Sequence, residues 1–446
     1  MLTEMRGPDF KNLRANIQKI KRQYRIGRVS KVNGSTITVT GLADISSIGD
    51  KVQILARNGN KVTGEVTQIG QDLIHVYPEG RLHGVVLNDR VKYLGASSLA
   101  PDHSWLGRIV DPDGRPLDGY ALMNGIAEFP LQSDPPSAAN RRGLGQRLDT
   151  GMCVFNTLLP LAKGQRLGLF AGSGVGKSTL LAKFARHVQV DVIVIAQVGE
   201  RGRELREFTD KILGAEGMKR SVLVAATSDQ SAILRRRCAW SAMTIAEYFR
   251  NAGAQVLFLM DSVTRFAEAH QEIALANGEA PSIGGFPPSV VPLLMSLAER
   301  AGPGDENSGD ITAVFSVLVP GSDMEGPIAD VLRGTLDGHV VLDRQIAERG
   351  RFPAIDVLRS VSRSLPDVCT EEENELLSEF RTLLGTYDRA ELMLQSGLYT
   401  EGSDPQIDRS AELWPKMDEF ISKDEYGSAA DSFQRLKVLL ADDKKS

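Results

Sequence analysis

The chain has 446 residues, 42% of them hydrophobic and 24% charged, with a formal net charge of -5; this is the composition of a globular protein with room for two to four domains. No run of eighteen apolar residues occurs and the start MLTEMRGPDFKNLR has no apolar signal region, so neither a membrane span nor a secretory leader is supported and a cytoplasmic location is expected. The cysteines Cys153, Cys238 and Cys369 stand far apart without CxxC or Cys/His spacing and the six histidines are scattered singly, which argues against a disulfide framework or a zinc site.

Residues 1–24 are expected to form an amphipathic helical segment. Leu13, Ile17, Ile20 and Tyr24 recur at helical spacing behind a candidate N-cap, Asp9, and six basic side chains outnumber Glu4 and Asp9. Such a helix either docks on its own domain or meets a partner helix or anionic lipid. Residues 25–95 change to short alternating runs such as STITVT and KVQILA, punctuated by Asn33-Gly34 and Asn58-Gly59. These dipeptides supply the positive φ of tight hairpins, and the segment reads as a small β-barrel. Over 96–365 the apolar runs RLGLF, DVIVIAQ, SVLVAA, QVLFLMD and ITAVFSVLVP alternate with helical stretches, the pattern of an α/β core with a parallel sheet. Residues 366–446 lose the strand signal and read as a small helical domain. They hold 19 acidic and 9 basic side chains, a balance of -10 that leaves the rest of the chain at +5. A basic stripe for nucleic acid is not evident.

The stretch AGSGVGKS, 171–178, directly follows RLGLF and precedes a helical run. It fits the phosphate-loop pattern with Ala171 in place of the first glycine. Backbone amides around Gly172, Ser173, Gly174, Val175 and Gly176 converge on phosphate in such a loop, with Thr179 following in the helix. Lys177 reaches the β and γ oxygens, and the Ser178 hydroxyl is a candidate Mg²⁺ ligand. QVLFLMD ends in Asp261 at the carboxyl end of a strand, where a metal-side carboxylate is required. In GERGRE, Glu200 follows the strand DVIVIAQ and is the candidate to polarise an attacking water, with Arg201 beside it for the γ-phosphate.

Taken together, LGRIVDPDGRPLDG (106–119), the phosphate loop, GERGRE (199–204), LMDSVTRF (259–266) and RFPAIDVLRSVSR (351–363) resemble the catalytic subunits of the rotary ATP synthase group. SDQSAILRRRCAWSAMTIAEYFR, DSVTRFAEAHQEIALANGEAP and the short C-terminal region are most similar to the ATPases of flagellar export and type III secretion. That resemblance implies a P-loop ATPase that uses ATP and Mg²⁺. It implies Lys177 and Ser178 in the phosphate loop, Glu200 as catalytic glutamate, Arg201 at the γ-phosphate, Asp261 at the metal, Phe352 on adenine, and Arg363 as an arginine finger reaching the next subunit. It further implies a homohexamer at the cytoplasmic face of the inner membrane. The implied partners are helical regulatory and stalk proteins, export substrates and chaperones, and no nucleic acid. A ring helicase or terminator, and a synthase subunit, are the competing readings. The first would need interleaved aromatics in the barrel, where 25–95 has only Tyr77 and Tyr93. The second is disfavoured by the short C-terminal domain.

Overall fold

The computed structural model describes residues 17, 23–282, 285–319, 324 and 326–441. Of the stripe expected near the N-terminus, Leu13 and Ile20 lie outside the described residues. Ile17 is helical and exposed, and the Lys92 ammonium sits 3.3 Å from the centre of the Tyr24 ring.

Six strands, β1 (Ile26–Asn33), β2 (Thr36–Thr40), β3 (Lys51–Leu55), β4 (Lys61–Ile69), β5 (Leu73–Pro78) and β6 (Arg90–Gly95), close into an antiparallel barrel in the order β1-β2-β5-β4-β3-β6. The two-residue period of KVQIL sends Val52 and Ile54 inward to join Val29, Val39, Ile74 and Val91. Of the two Asn-Gly signals, Gly59 takes the left-handed conformation, with φ 86°. The other hairpin turns through Gly34 and Ser35 between the paired Asn33 and Thr36, and no residue there has positive φ.

The central sheet has eight strands: β7 (Ile109–Val110), β8 (Arg166–Ala171), β9 (Val192–Glu200), β10 (Ser221–Thr227), β11 (Val256–Asp261), β12 (Ile311–Leu318), β13 (Gly338–Leu342) and β14 (Ile355–Ser362). Their order is β14-β13-β8-β12-β11-β9-β10-β7. All neighbours are parallel except β14, which runs antiparallel to β13. The parallel sheet read from the apolar runs therefore carries one reversed edge strand. The chain between β13 and β14 contains only the short helix Arg344–Glu348 and turns back without crossing the sheet.

Because the sheet is covered on both sides, its strands are continuous apolar runs whose alternate residues serve two cores. Leu167, Leu169 and Ala171 pack with helix Lys177–His187 and with the C-terminal helices Glu371–Gln395, Pro405–Ser422 and Ala429–Ala441. Phe170 faces the other side, which holds helices Ala232–Asn251, Val263–Ala276 and Val290–Arg300. A capping box of Thr370 and Glu373 starts the first C-terminal helix. Among the described residues no helix is long and apolar enough to cross a membrane.

Barrel and core are joined by buried charge. Arg237, 1% exposed, contacts Glu65 and Glu79 of the barrel side and Asp113 of the core side, and Arg236 pairs with Glu65 at 2.5 Å. Each guanidinium brought out of water is thus met by carboxylates from a segment far away in sequence, which offsets the cost of burying it.

Candidate active site

The site lies at the carboxyl edge of the parallel strands, where the crevices of an open α/β sheet form. β8 ends at Ala171, and the chain turns through Gly172–Gly176 into helix Lys177–His187. Gly174 and Gly176 have φ 78° and 88°, values that side-chain-bearing residues avoid. Left-handed residues alternating with right-handed ones fold successive N–H groups toward one point, and the helix N-terminus adds its dipole. Val175 is buried at 3% exposure, so its side chain anchors the loop while its backbone faces the turn. Ser173, Ser178 and Thr179 are exposed.

Two strands away, β11 places Asp261 against the loop lysine. Lys177 Nζ pairs with Asp261 Oδ1, and the Ser316 hydroxyl of the intervening β12 donates to the same oxygen at 2.8 Å. Glu200 ends β9, three residues beyond Gln197, the register partner of Asp261. Its carboxyl is pushed up to about 7, first by burial and next by the Asp261 carboxylate, with the Lys177 ammonium pulling the other way and a hydrogen bond to Glu204 adding to the rise. The folded chain therefore holds a proton between about 4.5 and about 7 that the unfolded chain has released, and its stability falls as pH rises through that window. Glu200→Gln should accordingly raise the melting temperature over wild type at pH 8 and lose the advantage towards pH 4.5. Thermal unfolding followed by circular dichroism across that range checks it; an advantage independent of pH would contradict the assignment.

The other sequence candidates are distributed unequally. Phe352 comes to the loop: a Cβ on Gly176 would stand 3.3 Å from its ring, which remains 51% exposed. Arg201 points to solvent, its side chain 76% exposed and 3.8 Å from Glu204. The guanidinium of Arg265 feels Glu268 first and, more weakly, both Glu200 and Asp261. It lies in the first turn of helix Val263–Ala276, packs beside Gly199 and bonds Glu268 at 2.8 Å. The sequence reading missed Arg265, although its place four residues after Asp261 at a helix start was the available signal.

Arg363 lies at the opposite edge. It follows β14, whose Ser362 pairs with Gly338 at the start of β13, and its N–H donates to the Asp337 carbonyl. The phosphate loop leaves Ala171 level with Leu342, at the far end of β13. About 17 Å of strand, five residues at ~3.3 Å each, separates Arg363 from the loop of its own chain.

The chain as a whole is similar to known proteins. Residues 151–362 match the family model of the ATP synthase alpha/beta nucleotide-binding domain, and residues 369–438 that of the type III secretion EscN ATPase C-terminal domain. A flagellum-specific ATP synthase of Caulobacter vibrioides is 41% identical over 97% of this chain and 99% of its own. A type 3 secretion system ATPase of Xanthomonas euvesicatoria is 42% identical over 90% of each chain. The chain belongs to the flagellar and type III secretion ATPase family. The assembled ATPase EscN of enteropathogenic Escherichia coli superposes with a TM-score of 0.87, at 36% identity over 93% of this chain and 100% of that one. A second EscN structure, in complex with its central stalk EscO, gives 0.85. As a member of this family the chain is a nucleotide-binding ATPase, with a barrel, a P-loop core and a helical C-terminal region.

Proposed function

We propose that the chain hydrolyses ATP to drive protein export through a flagellar or type III secretion apparatus, as a homohexameric ring at the cytoplasmic face of the inner membrane. One observation carries the ring: the residues this reading assigns to hydrolysis, Lys177, Glu200 and Asp261 at one sheet edge and Arg363 at the other, stand too far apart within one chain to meet. A copy of the same chain is the partner that joins them. The export role is supported by the relatives named for flagella and type 3 secretion.

In this reading the domains run 1–24, 25–95, 96–365 and 366–446. The loop from Gly172 to Thr179 cradles the phosphates, Lys177 neutralises the β and γ oxygens, and Phe352 offers its exposed face to adenine. Glu200 accepts the proton of the attacking water. Arg265 and, by rotation of its exposed side chain, Arg201 supply positive charge to the γ-phosphate. Mg²⁺ fits the oxygens present: the Asp261 carboxylate and the Ser178 hydroxyl are hard donors, and this ion is commonly held by one or two protein oxygens beside substrate phosphates. When bound it neutralises charge on the β- and γ-phosphates. We assign stalk and regulatory helical proteins, chaperones and export substrates as partners, with the segment 1–24 as one docking element.

Replacing the chromosomal gene by the Lys177→Ala form is expected to abolish filament growth or effector secretion while the protein still accumulates. Electron microscopy of cells and electrophoresis of culture supernatants read the outcome. Normal filaments and normal secretion would overturn the export assignment.

A further inference from the structure

The loop lysine is already engaged by a carboxylate of its own chain. Lys177 and Asp261 neutralise one another with side chains only 12% and 6% exposed. A second donor, the fully buried Ser316 hydroxyl, holds the same carboxylate oxygen at 2.8 Å. Ser316 sits level with Leu169, on the strand between the one that leads into the phosphate loop and the one that ends in Asp261. In the run ITAVFSVL a hydroxyl is out of place for packing and costs free energy unless bonded; its donor is directed to Asp261.

Where the ammonium moves away toward phosphate oxygens, its pairing with Asp261 is given up. The carboxylate then remains buried without its counter-charge, an arrangement that is costly unless another cation takes the place. A divalent cation arriving with the phosphate fills it. Ser316 is neutral and stays bonded while the cations change, so the carboxylate keeps its orientation. We propose that Asp261 is an exchange point that holds Lys177 until phosphate and divalent cation take over together, with Ser316 as the positioning residue that keeps the carboxylate aimed through the exchange. The proposal rests on the ATP-site reading above and deepens it: nucleotide affinity and cation affinity are coupled through one buried carboxylate.

The test is binding of a fluorescent ATP analogue to the full chain at pH 8, once in EDTA and once in excess Mg²⁺. Asp261→Asn is expected to bind the metal-free analogue about tenfold more tightly than wild type, because Lys177 is released, and to lose the strengthening by Mg²⁺. Glu200→Gln removes an equal charge from the same edge without touching the Lys177 pair, and its metal-free gain should be clearly smaller. Ser316→Ala should leave metal-free affinity near wild type but shrink the Mg²⁺ strengthening at least about threefold, and Ser316→Thr should restore it. A generally loosened fold would weaken both conditions alike and leave their ratio unmoved. An unchanged ratio in Ser316→Ala, or equal metal-free gains in Asp261→Asn and Glu200→Gln, overturns the proposal. Failure of the ATP-site reading looks different: wild type would not bind the analogue, or Lys177→Ala would bind it equally well.

Discussion

Glu200→Gln should retain MgATP affinity within about threefold while turnover falls by roughly 10²–10⁴, the range by which positioned general bases accelerate reactions. The amide keeps the size of the carboxylate at the end of β9 but cannot take a proton from water. Binding should not suffer, because the loop, Lys177 and Phe352 are untouched. Removing a carboxylate that already repels Asp261 tends, if anything, to favour phosphate nearby. Lys177→Ala is the contrasting variant, expected to lose affinity and turnover together, since the ammonium meets the phosphates in ground and transition states alike. Single-turnover hydrolysis and analogue binding separate the two. Turnover of Glu200→Gln within about threefold of wild type, under ~1 kcal/mol, would remove Glu200 from the role of base.

Much of this site was legible in the sequence because its signals are local. A glycine-rich turn between an apolar run and a helix, and an apolar run that stops at Asp261, describe strand ends without any knowledge of the sheet. Strand order is not local. Glu200 and Asp261 lie 61 residues apart in the chain, and only the sheet shows them on neighbouring strands with Ser316 between Asp261 and the loop. Within GERGRE, a run of charges carries no marker of which side chain turns inward, and the helix Gly202–Glu207 directs Arg201 to water. Arg236 and Arg237 show the same blindness in reverse. A run of three arginines, 235–237, carries no mark of burial in the sequence, yet two of them are buried because Glu65 and Glu79 approach from a barrel more than 150 residues upstream. The reversed edge strand escaped notice for a related reason. In IDVLRSVS the buried positions are Ile355, Val357, Ser360 and Ser362, two of them serines, and Asp356 and Arg359 interrupt the run, so it lacks the solid apolar signature of the strands around it.

That edge strand decides the geometry of the last expectation, because it brings Phe352 to the loop at one end and carries Arg363 to the far edge at the other. If Arg363 completes the site of the neighbouring copy, Arg363→Ala and Glu200→Gln are each nearly inactive alone, the former by the 10³ to 10⁵ that a well-placed arginine finger contributes. Mixed in equal amounts and allowed to exchange, the two inactive proteins should regain activity. In a head-to-tail ring an Arg363→Ala protomer keeps its own Glu200 and receives Arg363 from a Glu200→Gln neighbour, so random assembly leaves about a quarter of interfaces complete. An arginine acting within its own chain would leave every site defective, and it would have to span the ~17 Å of strand that separates it from its own loop. ATP hydrolysis of the mixture, beside a control in which two labelled wild-type pools demonstrate subunit exchange, decides the matter. With exchange demonstrated, recovery approaching a quarter of wild-type turnover means that interfaces fire independently. A mixture as inactive as its parts counts against action in trans, unless graded dilution of either variant into wild type shows activity falling faster than the fraction of intact interfaces, the signature of sites that fire only in concert.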